Sequence, residues 1–391
     1  MIPRYSLTYS YPGLLRCLIR SYQGNHEENL RLRLAKLHHV KHVFLFGNAR
    51  EAFYALLCAY DQPGGVLMPA YNSLTVPEAA IYAGYHPVFV DIDLSSLNMS
   101  IDTLKRSISP EITVILVLHQ YGIPCDVEDI MNLAQQHGIL VLEDAAPAFG
   151  AELRGRFVGA IGDAGFVSFG SSKVIAGEKG GALLTNNDDL ARKVECFIQR
   201  AACPEGNLNL FFKAAARKLV LSSWCFPLTK FCLRVLGEEK MYQVVAPHTT
   251  IPSRYVKKCP SFASALVLGQ LDQLDWNLSR RRQIGQIYQD RLSEQPRLKT
   301  LSIPDDCSPA WIQFPVLVDD KERFYKYMQH NGIDLSWTFR YSCADSYHLD
   351  GFPNSQKAAK TVLGLPTYPV LTDEQAQYIC DVILMYPIGG N

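Results

Sequence analysis

The chain has no surplus of charge of either sign: 38 Lys and Arg balance 38 Asp and Glu over 391 residues. That balance supplies no global attraction to nucleic acid or to an anionic membrane, so recognition of either would need a local basic patch. No two of the eleven cysteines form a C-x-x-C pair. Zinc-site spacing is therefore missing, and an odd count in so long a chain does not describe a disulfide scaffold. A reducing, cytoplasmic setting is the expectation. The opening stretch MIPRYSLTYSYPGLLRCLIRSYQG lacks the apolar core and small-residue cleavage site of a secretory leader. No run of 18 uncharged apolar residues exists, which argues against a transmembrane helix. Internal repeats and low-complexity tracts are also lacking.

What is there is an alternation. Short apolar runs at Val43–Phe46, Val66–Pro69, Pro87–Val90, Val114–Leu118, Ile139–Leu142, Ala164–Phe169 and Ala182–Thr185 read as buried strands. Helical periods at Arg50–Cys58, Leu74–Ala83 and Val127–His137 lie between them. Apolar strands of this length alternating with helices predict an α/β fold with a mainly parallel sheet covered on both faces. Ligands in such sheets sit outside the carboxyl ends of the strands. Residues 1–245 form the expected large domain and 246–391 a smaller C-terminal α+β domain. In the latter, helix runs from about 260 through Leu292 with a charged face at Arg280-Arg281-Arg282. A strand at Ile312–Leu317 follows, then a helix near Lys321–Asn331 and a last helix at Thr372, where Thr372 and Gln375 form a capping box.

Residues 208–237 break the pattern as a helical insertion, apolar and aromatic yet interrupted by Lys213, Arg217, Lys218, Lys230 and Arg234. Two readings stand. The helices pack on the body or on a partner subunit, or they form an amphipathic element on a membrane surface. The first is favoured, because apolar helix faces usually make core.

Two segments carry chemistry. Val141-Leu142-Glu143-Asp144-Ala145-Ala146 is an apolar strand delivering acids to the rim of the sheet; taken alone, such an Asp caps the next segment equally well. Phe166-Val167-Ser168-Phe169-Gly170-Ser171-Ser172-Lys173 runs a strand into a Ser- and Gly-rich turn ending in one lysine. Hydroxyls and open amides suit a phosphate, and a desolvated lysine is an amine nucleophile; a solvated turn lysine is the plain alternative. Together they match pyridoxal 5'-phosphate (PLP), which needs a Schiff-base lysine, an acid against the pyridine nitrogen and phosphate donors.

At these residues the chain resembles the DegT/StrS sugar aminotransferases, fold-type I PLP-dependent transferases. The likeness rests on Met68-Pro69-Ala70-Tyr71, Pro87–Asp93, Glu143–Ala146, Ser168-Phe169 with Lys173, Gly180-Gly181, and Leu365–Pro369 with Leu371-Thr372. It implies that Lys173 carries PLP, Asp144 binds its pyridine nitrogen and Ser168 its phosphate. Asn48, Ala49 and Arg50 would open a phosphate-binding helix N-terminus. Ser73 stands where the family stacks an aromatic on the cofactor, leaving Tyr71 or Tyr121 as substitutes. Pro147 replaces a Gln or His, and Lys179, preceded by Glu178, replaces a Glu. Arg254, Tyr255 and Lys257 lie where the family's neighbouring subunit supplies Asn and Arg. Trp337 and Arg340 are further candidates for substrate contact.

The resemblance further implies a homodimer that moves an amino group, with glutamate as donor, to a nucleotide-linked keto sugar. The setting would be deoxyaminosugar or cell-surface polysaccharide biosynthesis. Two alternatives remain. One is another PLP reaction such as dehydration, for which relatives typically have His in place of the lysine; the other is a non-catalytic binding or regulatory member.

Overall fold

A computed structural model describes residues 1–222, 224–236, 250–295 and 298–387. The expected domain boundary at 245/246, and Gly237 at the end of the insertion, lie outside the described residues.

Seven strands make the central sheet: β1 (His42–Phe46), β2 (Gly65–Pro69), β3 (His86–Val90), β4 (Ile112–Leu118), β5 (Leu140–Asp144), β6 (Ala164–Ser168) and β7 (Gly181–Thr185). Their order is β3-β2-β4-β5-β6-β7-β1. All pairs from β3 through β6 are parallel, whereas β7 runs antiparallel to both β6 and β1. Each strand anticipated from sequence is present within two residues of its expected ends. Their continuous apolar character follows from burial on both faces, with one core around Phe53, Leu56 and Leu116 and others around Leu30, Phe149 and Val167, and around Ile115, Ile130 and Leu133.

A further core is built from the C-terminal part. Strands Leu298–Lys299, Phe314–Val318 and Val362–Leu365 form an antiparallel sheet covered by Tyr288, Phe324, Met328 and Ile379. The amino terminus belongs here: Ile2 bridges Ile333 and is buried in this cluster. The capping box at Thr372 and Gln375 is formed.

The helix expected from about 260 to Leu292 is two helices, Ser261–Leu271 and Leu274–Leu292, separated at Asp272-Gln273. No Pro or Gly marks that break. The three arginines likewise do not share one charged face. Arg280 pairs with Asp373 and Arg282 with Glu152. Arg281 is buried, donating to Asn277 and to the Trp311 carbonyl.

The insertion forms helices Asn207–Val220 and Phe226–Leu236. Leu210 and Ala214 of the first pack with Leu14, Phe262 and Leu266, so its inner face is core, as favoured from sequence.

Candidate active site

β5 and β6 are parallel neighbours with Asp144 opposite Phe166, and Leu118 of β4 opposite Asp144. Because alternate side chains share a face, Leu118, Asp144, Phe166 and Ser168 line one cavity at the carboxyl ends of the strands, about 450 Å³ in volume. The alternation also separates the two acids at this strand end. Glu143 points away from the cavity and is fully buried, accepting from His119 Nε2 (3.0 Å) and from the amides of Gly159 (2.7 Å), Ile161 (2.5 Å) and Gly162 (2.7 Å). His119 Nδ1 accepts from the Cys125 amide, so Nε2 bears the proton donated to Glu143. Burial alone would raise the Glu143 pKa, but these donors hold it below the ordinary value. Glu143 ties strand to loop, and Asp144 faces the cavity.

Asp144 accepts from the Ala146 amide at 3.0 Å. Burial pushes its carboxyl up to about 6, against the pull of that amide and of the Lys173 charge. Lys173 moves the other way: burial lowers its pKa, and the Asp144 charge partly restores it. The turn presenting Lys173 is fixed both from within and from outside. The Lys173 amide donates to Gly170 O, Asn277 Nδ2 to Val174 O, and Gln270 both accepts from the Ala176 amide and donates to its carbonyl. Next in the chain, Glu178 sits at φ 66° and accepts from Tyr9 Oη (2.8 Å) and Arg217 Nε (2.9 Å). The insertion is thereby bolted to the Lys173 turn. Lys179 pairs with Glu205.

Across the cavity, Asn48 caps the helix Ala49–Tyr60: its Oδ1 accepts from the Glu51 amide while its Nδ2 donates to Glu51 Oε1. The cap occupies the Glu51 amide, and the helix start at Asn48, Ala49 and Arg50 lines the cavity. Glycine at 181 is required: a Cβ there would lie 2.5 Å from the Ala49 amide nitrogen, so β7 could not abut the helix start.

Every residue proposed from sequence for the cofactor (Asn48, Ala49, Arg50, Ser73, Asp144, Ser168 and Lys173) lines this one cavity, as do Pro147 and Ser172. Of the two substitute aromatics, Tyr121 lines it. Tyr71 is fully buried behind, bonded to the Tyr121 hydroxyl at 2.9 Å. Trp337 and Arg340 are not lining residues. The Arg340 guanidinium lies 3.7 Å from the Trp337 ring centroid, with Lys321 Nζ at 4.8 Å. Their neighbours Ser336, Thr338 and Phe339 line the cavity instead, with Gln313. Tyr255 is packed edge-on against Tyr54 and Tyr82, and the Lys257 amide donates to Glu51.

Sequence reasoning missed two further groups on the wall. Asn72 Nδ2 and Gln120 Nε2 are buried without a hydrogen-bond partner, and both residues line the cavity. Buried donors left unpaired are costly, so two such groups on one wall mark a place for a polar ligand. The donor set fits PLP: an amine for covalent attachment, a carboxylate at a strand end, a hydroxyl and helix amides for phosphate, and unpaired amide donors beside them.

Comparison with known proteins places this geometry. The profile of the DegT/DnrJ/EryC1/StrS aminotransferase family matches residues 19–384. The GDP-perosamine synthase of Escherichia coli O157:H7 is 25% identical over 375 residues, spanning 93% of this chain and 90% of that protein. Among solved structures, DesV of S. venezuelae superposes with a TM-score of 0.79 at 20% identity, covering 98% of this chain and 97% of the other. The E. coli GDP-4-keto-6-deoxy-D-mannose-3-dehydratase, solved with hydrated PLP, superposes with a TM-score of 0.77 at 18% identity, covering 98% and 99%.

Proposed function

Because this chain belongs to the DegT/DnrJ/EryC1/StrS aminotransferase family, we propose that it is a PLP-dependent aminotransferase that moves an amino group from glutamate to a nucleotide-linked keto sugar. The observation that carries this reading is the convergence of Asp144 and Lys173, each sensing the other's charge, on one strand-end cavity. Named relatives act in the same chemistry, GDP-perosamine synthase among them.

When bound, PLP supplies an electrophilic carbon for the donor amine and a ring that accepts electrons. Asp144 would hold a proton on the ring nitrogen: the carboxylate is ionised at neutral pH, and a neighbouring cation strengthens its hold on the charged form. Lys173 Nζ would hold the cofactor covalently and, when free, would serve as the general base and acid that removes and returns the proton of the 1,3-shift. A lysine whose pKa is lowered by burial is suited to that shuttle. Ser168 and the amides at Ala49 and Arg50 would bind the phosphate, as helix N-termini bind anions. Of Tyr71 and Tyr121, Tyr121 is the one on the cavity wall and would face the ring, and Ser336, Thr338 and Gln313 would orient the sugar.

We place the enzyme in the cytoplasm as a homodimer, with the large domain ending near residue 245. Its setting is deoxyaminosugar or cell-surface polysaccharide biosynthesis. Among the described residues no helix is long and apolar enough to cross a membrane.

The test is spectroscopic. Purified protein with PLP should absorb in the visible and lose that band on addition of glutamate, regaining it with a nucleotide keto sugar. Lys173→Ala should abolish covalent attachment. A band that glutamate leaves unchanged would favour a different PLP reaction such as dehydration, and failure to bind PLP would favour a binding or regulatory role.

A further inference from the structure

The insertion has two apolar faces, and only one is covered. In helix Asn207–Val220, Leu210 and Ala214 face the body, while Leu208, Phe212 and Leu219 face outward. Helix Tyr11–Arg20 lies against it and repeats the arrangement. Leu14 is buried, and Tyr11, Leu15 and Ile19 are exposed at i, i+4, i+8 spacing. The turn joining the insertion's helices carries Trp224, 89% exposed, and the second helix adds Leu228 at 66% and Phe231 at 64%. Scattered exposed apolar residues are ordinary, but aromatic and branched side chains clustered on adjacent helices mark an interaction surface.

The two segments that build this face carry bases and no acid, with Glu27, Glu28 and Glu205 at their borders. Residues 1–26 contain Arg4, Arg16 and Arg20 with no acid, and residues 206–237 contain five basic residues with no acid. The remainder of the chain then holds 30 basic against 38 acidic residues. Four of the basic side chains are paired inward: Arg4 and Lys230 with Asp334, Lys213 with Glu205, and Arg217 with Glu178. Arg16 and Arg20 are exposed on the flank of the outer stripe. Lys218 is half-buried, its Nζ donating to the Leu7 carbonyl at 3.4 Å and lying about 6 Å from the Tyr9 and Tyr11 ring centroids near the same edge.

We propose that this face docks on a phospholipid surface bearing anionic headgroups, with Trp224, Phe212 and Phe231 entering the interfacial layer and Arg16, Arg20 and Lys218 meeting the headgroups. Exposed Trp, Phe and Leu bordered by Arg and Lys, with no acid among them, are what an anionic interface selects. A second copy is a poorer occupant, because a two-fold interface would set this acid-free face against itself. The insertion is bolted to the Lys173 turn through Glu178, so docking holds the catalytic body at a fixed orientation to the lipid.

Full-length protein should float with phosphatidylcholine vesicles containing phosphatidylglycerol, bind vesicles of phosphatidylcholine alone about ten-fold more weakly, and come off in high salt. Trp emission should shift to the blue on the anionic vesicles. Trp224→Ser with Phe231→Ser should weaken binding about ten-fold while keeping the visible band of bound PLP, which shows the fold intact. Arg16→Glu with Arg20→Glu should weaken binding to the anionic vesicles only. The proposal is overturned if wild type floats with neither vesicle or if the Trp224 and Phe231 changes leave flotation unaltered. It is also overturned if, without lipid, those changes split an oligomer, which would assign the face to a second copy.

Discussion

In protein freed of cofactor, Asp144→Asn should stabilise the fold, and increasingly so as pH rises. Burial raises the Asp144 carboxyl from 3.8 to about 6. Between those values the folded state binds the proton more tightly than the unfolded chain, so folding stability falls as pH climbs through this window. Two pKa units at about 1.4 kcal/mol each amount to roughly 3 kcal/mol once pH exceeds 6, and to about 1 kcal/mol near pH 4.5. Asn keeps an acceptor for the Ala146 amide and removes the ionisation. The variant also withdraws the charge that supports protonated Lys173, which trims the gain at neutral pH. Urea unfolding of both proteins from pH 4.5 to pH 8 measures the difference. It should grow up to about pH 6 and then level off. A difference independent of pH, or a variant less stable at pH 8, would refute the placement of an unsolvated carboxylate there. In the loaded enzyme the same change should suppress turnover by orders of magnitude, since an amide cannot hold the ring nitrogen's proton by charge.

Gly181→Ala places a Cβ 2.5 Å from the Ala49 amide. It should lower stability by about 2–4 kcal/mol and weaken PLP binding, read by thermal melting and cofactor titration. Glu143→Gln leaves His119 and three amides around a group that presents an NH₂ to them; a loss of roughly 3 kcal/mol or more in melting experiments follows. Arg217→Ala uncouples the insertion from Glu178. It should lower kcat, with the visible spectrum of bound PLP shifted in its pH dependence, because the Lys173 turn loses an outer anchor. Gln120→Ala removes one unpaired cavity donor and should leave unliganded stability unchanged or slightly higher while raising KM or the PLP dissociation constant.

The sheet could be read from composition and period alone. Seven apolar runs alternating with helices specify buried strands, and Thr372 with Gln375 specifies a helix start, because capping and burial depend on residues close in the chain. The two chemical segments were legible for a related reason: a strand ending in acid and another ending in Ser, Gly and Lys put polar groups where such sheets bind ligands.

What sequence could not decide was direction. Period two says that Glu143 and Asp144 face opposite ways, yet only packing of the loop at Gly159–Gly162 and of His119 determines which acid is bonded away and which is left for the cavity. Polarity put Trp337 and Arg340 forward when their neighbours Ser336, Thr338 and Phe339 are the residues that line the wall. The break at Asp272-Gln273 carries no Gly or Pro; Leu271 and Leu274 on either side of it bury in one core, and from Ile284 on the second helix enters the C-terminal one. Tertiary contacts also turn one apolar face of the insertion into core and leave its other face exposed. Local patterns set each element and its amphipathic character; which face meets core, cavity or outside is set by residues distant in the chain.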